Sequence, residues 1–161
     1  MDHERIQSIE SLFQEKALLY AELLECFRKE REHLSAMNIE LLWGVADEKT
    51  RLCSGIGALR SRIASLLCPG RDLEERDVSD FLQRIPARQQ GPFRNVLLRI
   101  MKLKSEVDLM RKENQTLIDE SLDFLDGMIS ILAGEGAGRS TYSERSRLCR
   151  TETLVTMSRE V

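Results

Sequence analysis

The sequence predicts an all-α protein: an elongated antiparallel helical bundle or coiled coil of three long helices and one short helix, with a flexible C-terminal tail. Apolar residues recur at steps of three and four through most of the chain, which is the period of an amphipathic helix. All 3 prolines lie within residues 69–92, so residues 1–68 and 93–161 hold no proline that would break a helix. An apolar share of 42% and a charged share of 32% suit a soluble helical protein.

The first long helix is predicted over residues 4–34. Its main apolar face consists of Ile6, Ile9, Phe13, Tyr20, Leu24, Phe27 and Leu34. A second stripe of Leu12, Leu19, Leu23 and Cys26 widens this face, which indicates contact with two neighbouring helices. Asn38 is the predicted N-cap of the next helix, because its side chain can accept from the free N–H groups of the first turn.

The second long helix is predicted over residues 39–67 and carries a heptad seam. The seam consists of Leu42, Val45, Lys49, Leu52, Ile56, Leu59, Ile63 and Leu66. Lys49 is its polar member and is interpreted as a residue that fixes the register between helices. Gly55 and Gly57 each cost about 1 kcal/mol inside a helix, so they indicate either a close crossing or a bend. Pro69 and Gly70 end the helix. Trp43 borders the seam and is expected to be partly buried.

A short helix and the third long helix are predicted after the prolines. The short helix covers residues 73–84, with Asp72 and Glu75 resembling a capping box. The third long helix is predicted to start near Pro92, which the first helical turn tolerates, and to end at about Leu132. Its seam consists of Val96, Ile100, Leu103, Val107, Met110, Asn114, Leu117, Ser121, Phe124, Met128 and Ile131. Asn114 is interpreted, like Lys49, as a residue that sets register.

The domain organisation predicted from these patterns is a helical bundle over residues 1–132 and a flexible tail over residues 133–161. The glycines of residues 134–138 mark the change, and Ser, Thr, Arg and Glu dominate beyond them. Such a segment cannot bury enough apolar area to fold alone. The tail is the predicted partner-binding segment, in which a few apolar side chains form one helical face as they bind. These candidate side chains are Tyr142, Leu148, Leu154, Val155 and Met157.

Charge and composition exclude several classes of function. The net charge is −3, so nucleic acid is not an expected partner. No signal peptide is expected at the N-terminus, and no run of 18 apolar residues predicts membrane insertion. The 4 cysteines are widely spaced, which favours reduced thiols and a cytoplasmic location.

No catalytic or metal site is predicted, and no cofactor. Glu30 and His33 have the E-x-x-H spacing of di-iron bundles, but the chain has only 2 histidines and lacks the second motif that such a site needs. The glycine cluster at 134–138 lacks the lysine and the spacing of a phosphate-binding loop. A non-enzymatic binding protein is therefore expected.

The order of these features resembles the FlgN family of flagellar export chaperones. The resemblance covers residues 5–142 and rests on polar residues at fixed places among leucines, followed by a tail tyrosine. The matching residues are Leu34, Asn38, Leu41, Leu42, Lys49, Leu52, Ile56, Leu59, Arg62, Asn114, Leu117, Leu122, Leu125 and Tyr142.

The resemblance implies a cytoplasmic type III flagellar export chaperone. Such proteins bind the C-terminal helical segments of hook–filament junction proteins before secretion and dock on the flagellar export gate. Tyr142 would then be the docking residue, and Leu148, Leu154, Val155 and Met157 would face the substrate helix. A monomer is expected, with a dimer left open. The alternatives are a generic coiled-coil adaptor or oligomeric scaffold, which the heptads alone support, and a small metal-dependent helical hydrolase.

Overall fold

The computed structural model describes residues 3–133, and these residues form four helices and no strand. The helices are α1 (His3–Ser35), α2 (Ile39–Leu67), α3 (Glu75–Arg84) and α4 (Ala87–Leu132). The predicted all-α class, with three long helices and one short one, is confirmed. The chain divides after Asn114 into two units, the second of which begins with Gln115. None of the described helices is long and apolar enough to span a membrane.

The core of the first unit forms around the antiparallel pair α1 and α2. Lys49 of α2 pairs with Glu30 near the connection between the helices, whereas Arg5 Nη2 donates to the Leu66 carbonyl at the far end (2.5 Å). The predicted heptad seam of α2 is largely buried: Val45, Leu52, Ile56, Leu59 and Ile63 are all at most 9% exposed. Burial of a Leu or Ile side chain contributes about 1.5–3 kcal/mol, so this seam is a main source of stability.

The start of α4 is anchored by Phe93, which is 1% exposed. Its ring lies 5.1 Å from that of Phe13 in α1 and 5.2 Å from that of Phe81 in α3, measured between centroids. The helix begins at Ala87 and not near Pro92, so the predicted boundary is wrong. A proline in the second turn removes one hydrogen bond near a helix end, where few exist, and the buried aromatic cluster holds this turn in place.

The cap of α3 also differs from the prediction. The helix begins at Glu75 with Glu74 as its N-cap, not Asp72. The Asp77 carboxylate accepts from the Glu74 backbone N–H (2.9 Å) and from Arg71 Nη1 (3.0 Å). The hydrogen bond from the Glu74 backbone, helped by the Arg71 guanidinium, holds the pKa of Asp77 below its usual value against the effect of burial. This ion pair fixes the loop between α2 and α3.

A polar cluster joins α1, α2 and α4 inside the first unit. Glu30 pairs with Lys49, and Asn114, which is 2% exposed, donates to Glu30 Oε2 (2.9 Å) and to the Phe27 carbonyl (2.8 Å). The Lys49 ammonium also lies 4.9 Å from the centroid of the Phe27 ring. The Asn114 Oδ1 atom has no hydrogen-bond partner among the described residues. These contacts support the register-setting interpretation of Lys49 and Asn114, since any slip along a helix would leave the buried groups unpaired.

The two glycines of α2 differ in their surroundings. A Cβ atom added to Gly55 would lie 3.1 Å from Leu19 Cδ1, whereas one added to Gly57 would have no atom within 4 Å. The close crossing that the sequence left open therefore exists at Gly55 only.

We expect Gly57→Ala to raise the free energy of unfolding by about 0.5–1 kcal/mol, because alanine restricts the unfolded chain and favours the helix. Gly55→Ala gains the same helix preference but forces Leu19 to shift, so its net effect should be smaller or of opposite sign. Urea denaturation of both variants measures the difference. Equal gains at the two positions would mean that Leu19 does not restrict this crossing.

Lys16 of α1 is a half-buried cation. Its ammonium lies 5.9 Å from the centroid of the Tyr20 ring. Burial, with the nearby charges of Arg60 and Lys104, lowers the pKa of Lys16 from 10.5 to about 8. The protonated lysine therefore opposes folding at neutral pH, and this penalty should fade between pH 8 and about 10.5 as the unfolded chain comes to hold the extra proton. Burial also raises the pKa of Tyr20 to about 12, which opposes folding only above about pH 10.

We expect Lys16→Met to raise the free energy of unfolding at pH 7 by about 1–3 kcal/mol, because it removes a poorly solvated charge and keeps the packing. The wild-type protein should also gain stability from pH 8 to 10, and the variant should lose this gain. Urea denaturation across that range measures both effects. Lys102→Met is the matched control, since the Lys102 side chain is 79% exposed, and a similar gain there would contradict the assignment to Lys16.

Candidate helix-docking surface

The end of α4 carries seven large apolar side chains that are at least 40% exposed. Their exposed fractions range from 40% for Leu125 to 82% for Leu132. The set, called here the α4 apolar face, consists of Leu122, Phe124, Leu125, Met128, Ile129, Ile131 and Leu132. A soluble protein seldom exposes a contiguous apolar surface of this kind unless it binds something there.

Charge and apolar side chains are segregated around this end of the helix. At about 100° per residue, the α4 apolar face covers one half of the circumference and four carboxylates lie on the other half. These carboxylates are Asp119, Glu120, Asp123 and Asp126, and residues 115–133 contain no Lys, Arg or His, which gives a net charge of −4. Glu120 borders one edge of the apolar face and Asp126 borders the other. The end of α4 is therefore an amphipathic helix with one apolar side and one acidic side.

Local hydrogen bonds accompany the helix through this segment up to its end. Gln115 Nε2 donates to Asp119 Oδ1 (3.0 Å), and Ser121 Oγ donates to the Leu117 carbonyl (2.7 Å). The Ala133 N–H donates to the Ile129 carbonyl (2.8 Å). A surface that is already helical loses less conformational entropy when a partner binds than a disordered segment does.

A second exposed apolar group lies where α1 turns into α2. Met37 is 59% exposed and has a φ of +51°, in the left-handed region that favours glycine. The Met37 N–H donates to the Leu34 carbonyl and the Asn38 N–H to the His33 carbonyl, which together form a Schellman motif. Asn38 is the N-cap of α2, as predicted, since its Oδ1 accepts from the Leu41 N–H (3.3 Å).

Trp43 lies just beyond this connection and is 72% exposed, so the expectation of partial burial is wrong. Its side chain points away from α1 because, at helical spacing, it lies almost opposite the Val45 and Leu52 stripe that packs against α1. Ile39, one turn earlier, is on the same outer side and is 65% exposed.

The side chains that the sequence singled out for partner binding lie outside the described residues. This holds for Tyr142, Leu148, Leu154, Val155 and Met157, so their role stays a prediction. Periodicity alone does not distinguish the α4 apolar face from a buried seam, because Leu117, Phe124, Met128 and Ile131 continue the heptad steps of one. The signal that could have revealed it is the absence of basic residues after Lys112 in this helix.

The candidate metal ligand and three of the cysteines lie among the described residues. Glu30, the acidic member of the E-x-x-H pair, is held by Lys49 and Asn114. No group of three or more potential metal ligands occurs among residues 3–133. Burial raises the pKa of the Cys26, Cys53 and Cys68 thiols, which disfavours the nucleophilic thiolate form.

A cavity of about 250 Å³ lies between α1, the end of α2 and α3. Its charged lining consists of Arg5, Arg71, Asp77, Asp80 and Arg84. Within this set, Arg71 and Asp77 neutralise each other through their bidentate contact. Five of the nine lining residues of this cavity are charged, whereas the α4 apolar face is an uncovered apolar surface, and it is the stronger candidate for a partner-binding surface.

The described residues thus define a helical protein with an exposed apolar surface on an intact helix. A family model described as "FlgN protein" matches residues 1–148 of the chain. The protein belongs to the FlgN family, and this membership supports a role as a chaperone that binds flagellar proteins. No curated protein and no solved structure matches the chain. The family match includes Tyr142 and Leu148 but ends before Leu154, Val155 and Met157.

We expect the fluorescence of Trp43, the 1 tryptophan of the chain, to peak near the wavelength of tryptophan in water and to be quenched readily by iodide. The reason is its position on the outer side of α2, where the indole ring meets solvent. Emission spectra and iodide titration of the native protein, compared with the urea-unfolded protein, measure this. A blue-shifted and poorly quenched native spectrum would show that another surface covers Trp43.

Proposed function

We propose that this protein is a type III flagellar export chaperone that binds hook–filament junction proteins in the cytoplasm before their secretion. In this proposal a C-terminal helical segment of the partner packs against the α4 apolar face. The observation that carries the proposal is the run of exposed apolar side chains between Leu122 and Leu132 on an intact helix. Membership of the FlgN family supports the chaperone role, and the resemblance of the sequence supports this class of partner.

The physical basis of recognition is the packing of one amphipathic helix against another. Residues 122–132 extend over about 16 Å at the rise of an α-helix, which is a short contact. A short contact favours moderate affinity, in the range of transient interfaces. Moderate affinity suits a chaperone, because the partner has to be released at the export gate.

The carboxylates beside the apolar face favour a partner helix that carries positive charge. Glu120 and Asp126 flank the apolar side chains, and no cation of the same segment neutralises them. A partner helix with Lys or Arg at the edges of its own apolar side would form ion pairs with them while its apolar side is buried. Binding should therefore weaken as the salt concentration rises.

The tail keeps the role predicted from the sequence as part of this proposal. Tyr142 is proposed to contact the export gate, and Leu148, Leu154, Val155 and Met157 to add contacts with the substrate helix. The chain is proposed to act as a monomer that needs no cofactor.

The decisive experiment is calorimetric titration of the full-length chain with the C-terminal helical segment of a hook–filament junction protein. We expect Phe124→Asp combined with Ile129→Asp to weaken binding at least about 30-fold, because each change places a charge where an apolar anchor is buried, at a cost of about 1 kcal/mol or more. Raising the salt concentration should weaken the binding of the wild-type chain as well.

The matched control is Leu98→Asp combined with Met101→Asp, on another exposed part of α4. Leu98 and Met101 are 62% and 67% exposed, against 61% for Ile129 and 67% for Phe124. The control should bind like the wild-type chain. Equal losses in both variants would refute the assignment to the α4 apolar face. Absence of binding by the wild-type chain would favour the alternative, a generic coiled-coil adaptor or scaffold.

A further inference from the structure

We infer that the α4 apolar face has an occupant within the same chain: the basic tail segment, residues 139–150, packs against it when no partner is bound. The inference rests on the proposed function, since it adds a form of regulation to the same binding surface. The partner helix and the tail then compete for one face of α4.

Charge complementarity is the first argument. The acidic segment, residues 115–133, has a net charge of −4. The basic tail segment contains Arg139, Arg145, Arg147 and Arg150 and a single acid, Glu144, which gives a net charge of +3. The basic tail segment follows the α4 apolar face in sequence after a short linker, residues 134–138. Two segments of opposite charge, joined by a short linker, attract each other at high effective concentration.

The length of the linker is the second argument. Residues 134–138 read Gly-Glu-Gly-Ala-Gly, a composition that lets the backbone reverse direction. Connections of two to about eight residues are typical between antiparallel neighbours. In a reversal centred on Gly136, Asp126 would lie level with the position between Arg145 and Arg147, and Glu120 would lie level with a position two residues after Arg150. The basic residues of the tail are therefore spaced to reach the acids of α4.

The apolar content of both segments is the third argument. The α4 apolar face needs an apolar cover, and the basic tail segment brings Tyr142 and Leu148. Arginine side chains also cover apolar surface with their methylene stems while the guanidinium groups reach the carboxylates at the edges. The tail has few apolar residues, so its contact is weaker than that of a fully amphipathic partner helix, and a partner can displace it.

A second copy of the chain fits this face less well. Two α4 ends packed together would bring −4 against −4, and like charges at an interface oppose association. The same acids disfavour an anionic lipid surface or nucleic acid. The basic tail segment has the opposite charge to the acids of α4 and is joined to α4 by a short linker, so it fits this face better.

Competition makes a quantitative prediction. If the tail covers the face for about 90% of the time, the observed affinity for a partner helix is reduced about tenfold. The amide groups of residues 122–132 should exchange their hydrogens slower by the same factor, because opening of the helix end then requires release of the tail. The equilibrium between the covered and the uncovered α4 apolar face therefore determines both the partner affinity and the hydrogen-exchange rate, which are measured independently.

The experiment compares three full-length chains. One is wild type, one carries Arg145→Glu, Arg147→Glu and Arg150→Glu, and the control carries lysine at the same three positions. Hydrogen exchange of residues 122–132 is measured in the free protein at low salt, and the junction-protein segment is then titrated into each chain. We expect the glutamate variant to exchange about tenfold faster and to bind the segment about tenfold tighter, and the lysine control to behave like the wild-type chain. Adding Glu120→Arg and Asp126→Arg to the glutamate variant should restore slow exchange.

The outcomes separate this inference from the proposed function. Equal exchange in the wild-type chain and the glutamate variant would overturn the inference, whereas the titration would still decide the proposed function. Faster exchange in the glutamate variant, with slow exchange restored by the charge swap, would support the tail contact even if neither chain bound the junction-protein segment. In that case the proposed function would fail and the tail contact would stand.

Discussion

The antiparallel packing of α1 against α2 is the constraint on which the rest of the first unit depends. The seam of Leu52, Ile56, Leu59 and Ile63 buries enough apolar area to hold the pair together, but leucine-rich seams tolerate shifts of a heptad. The Glu30 and Lys49 pair removes that freedom, since each charge is largely buried and needs the other. Asn114 extends the same constraint to α4 through its bonds to Glu30 and the Phe27 carbonyl. One polar cluster thus decides how three apolar helices align.

Sequence periodicity was sufficient to predict those helices whose buried residues lie along one face. The bounds of α2 were predicted at residues 39–67 and are observed at Ile39–Leu67, because Asn38 and Pro69 mark both ends. The start of α4 was misplaced because Pro92 looks like a first-turn residue, whereas the packing of Phe93 against Phe13 and Phe81 holds an additional turn before it. Tertiary contacts of this kind leave no local signal in the sequence.

The candidate site was harder to predict, for a related reason. Periodic apolar residues show that a helix has a face to bury, but they do not show whether the same chain covers it. The steps that continue from Val107 through Phe124 to Ile131 are uniform, although Val107 is 5% exposed and Ile131 is 78% exposed. The change appears instead in the charges, which are mixed before Lys112 and only acidic from Glu113 to Ala133. The helix therefore changes along its length from a core element to an exposed apolar surface.

The tight connection between α1 and α2 has a consequence for the order in which the protein folds. Only residues 36–38 separate the two helices, so closing this loop costs little chain entropy. The pairing of Glu30 with Lys49 beside the loop joins residues that are 19 positions apart. Asn114, in contrast, meets Phe27 across a separation of 87 residues. The hairpin of α1 and α2 should therefore form first. Glu30 and Lys49 would then already be paired when Asn114 of α4 packs against them. The left-handed Met37 at the bend would then be among the earliest native features of the folding chain.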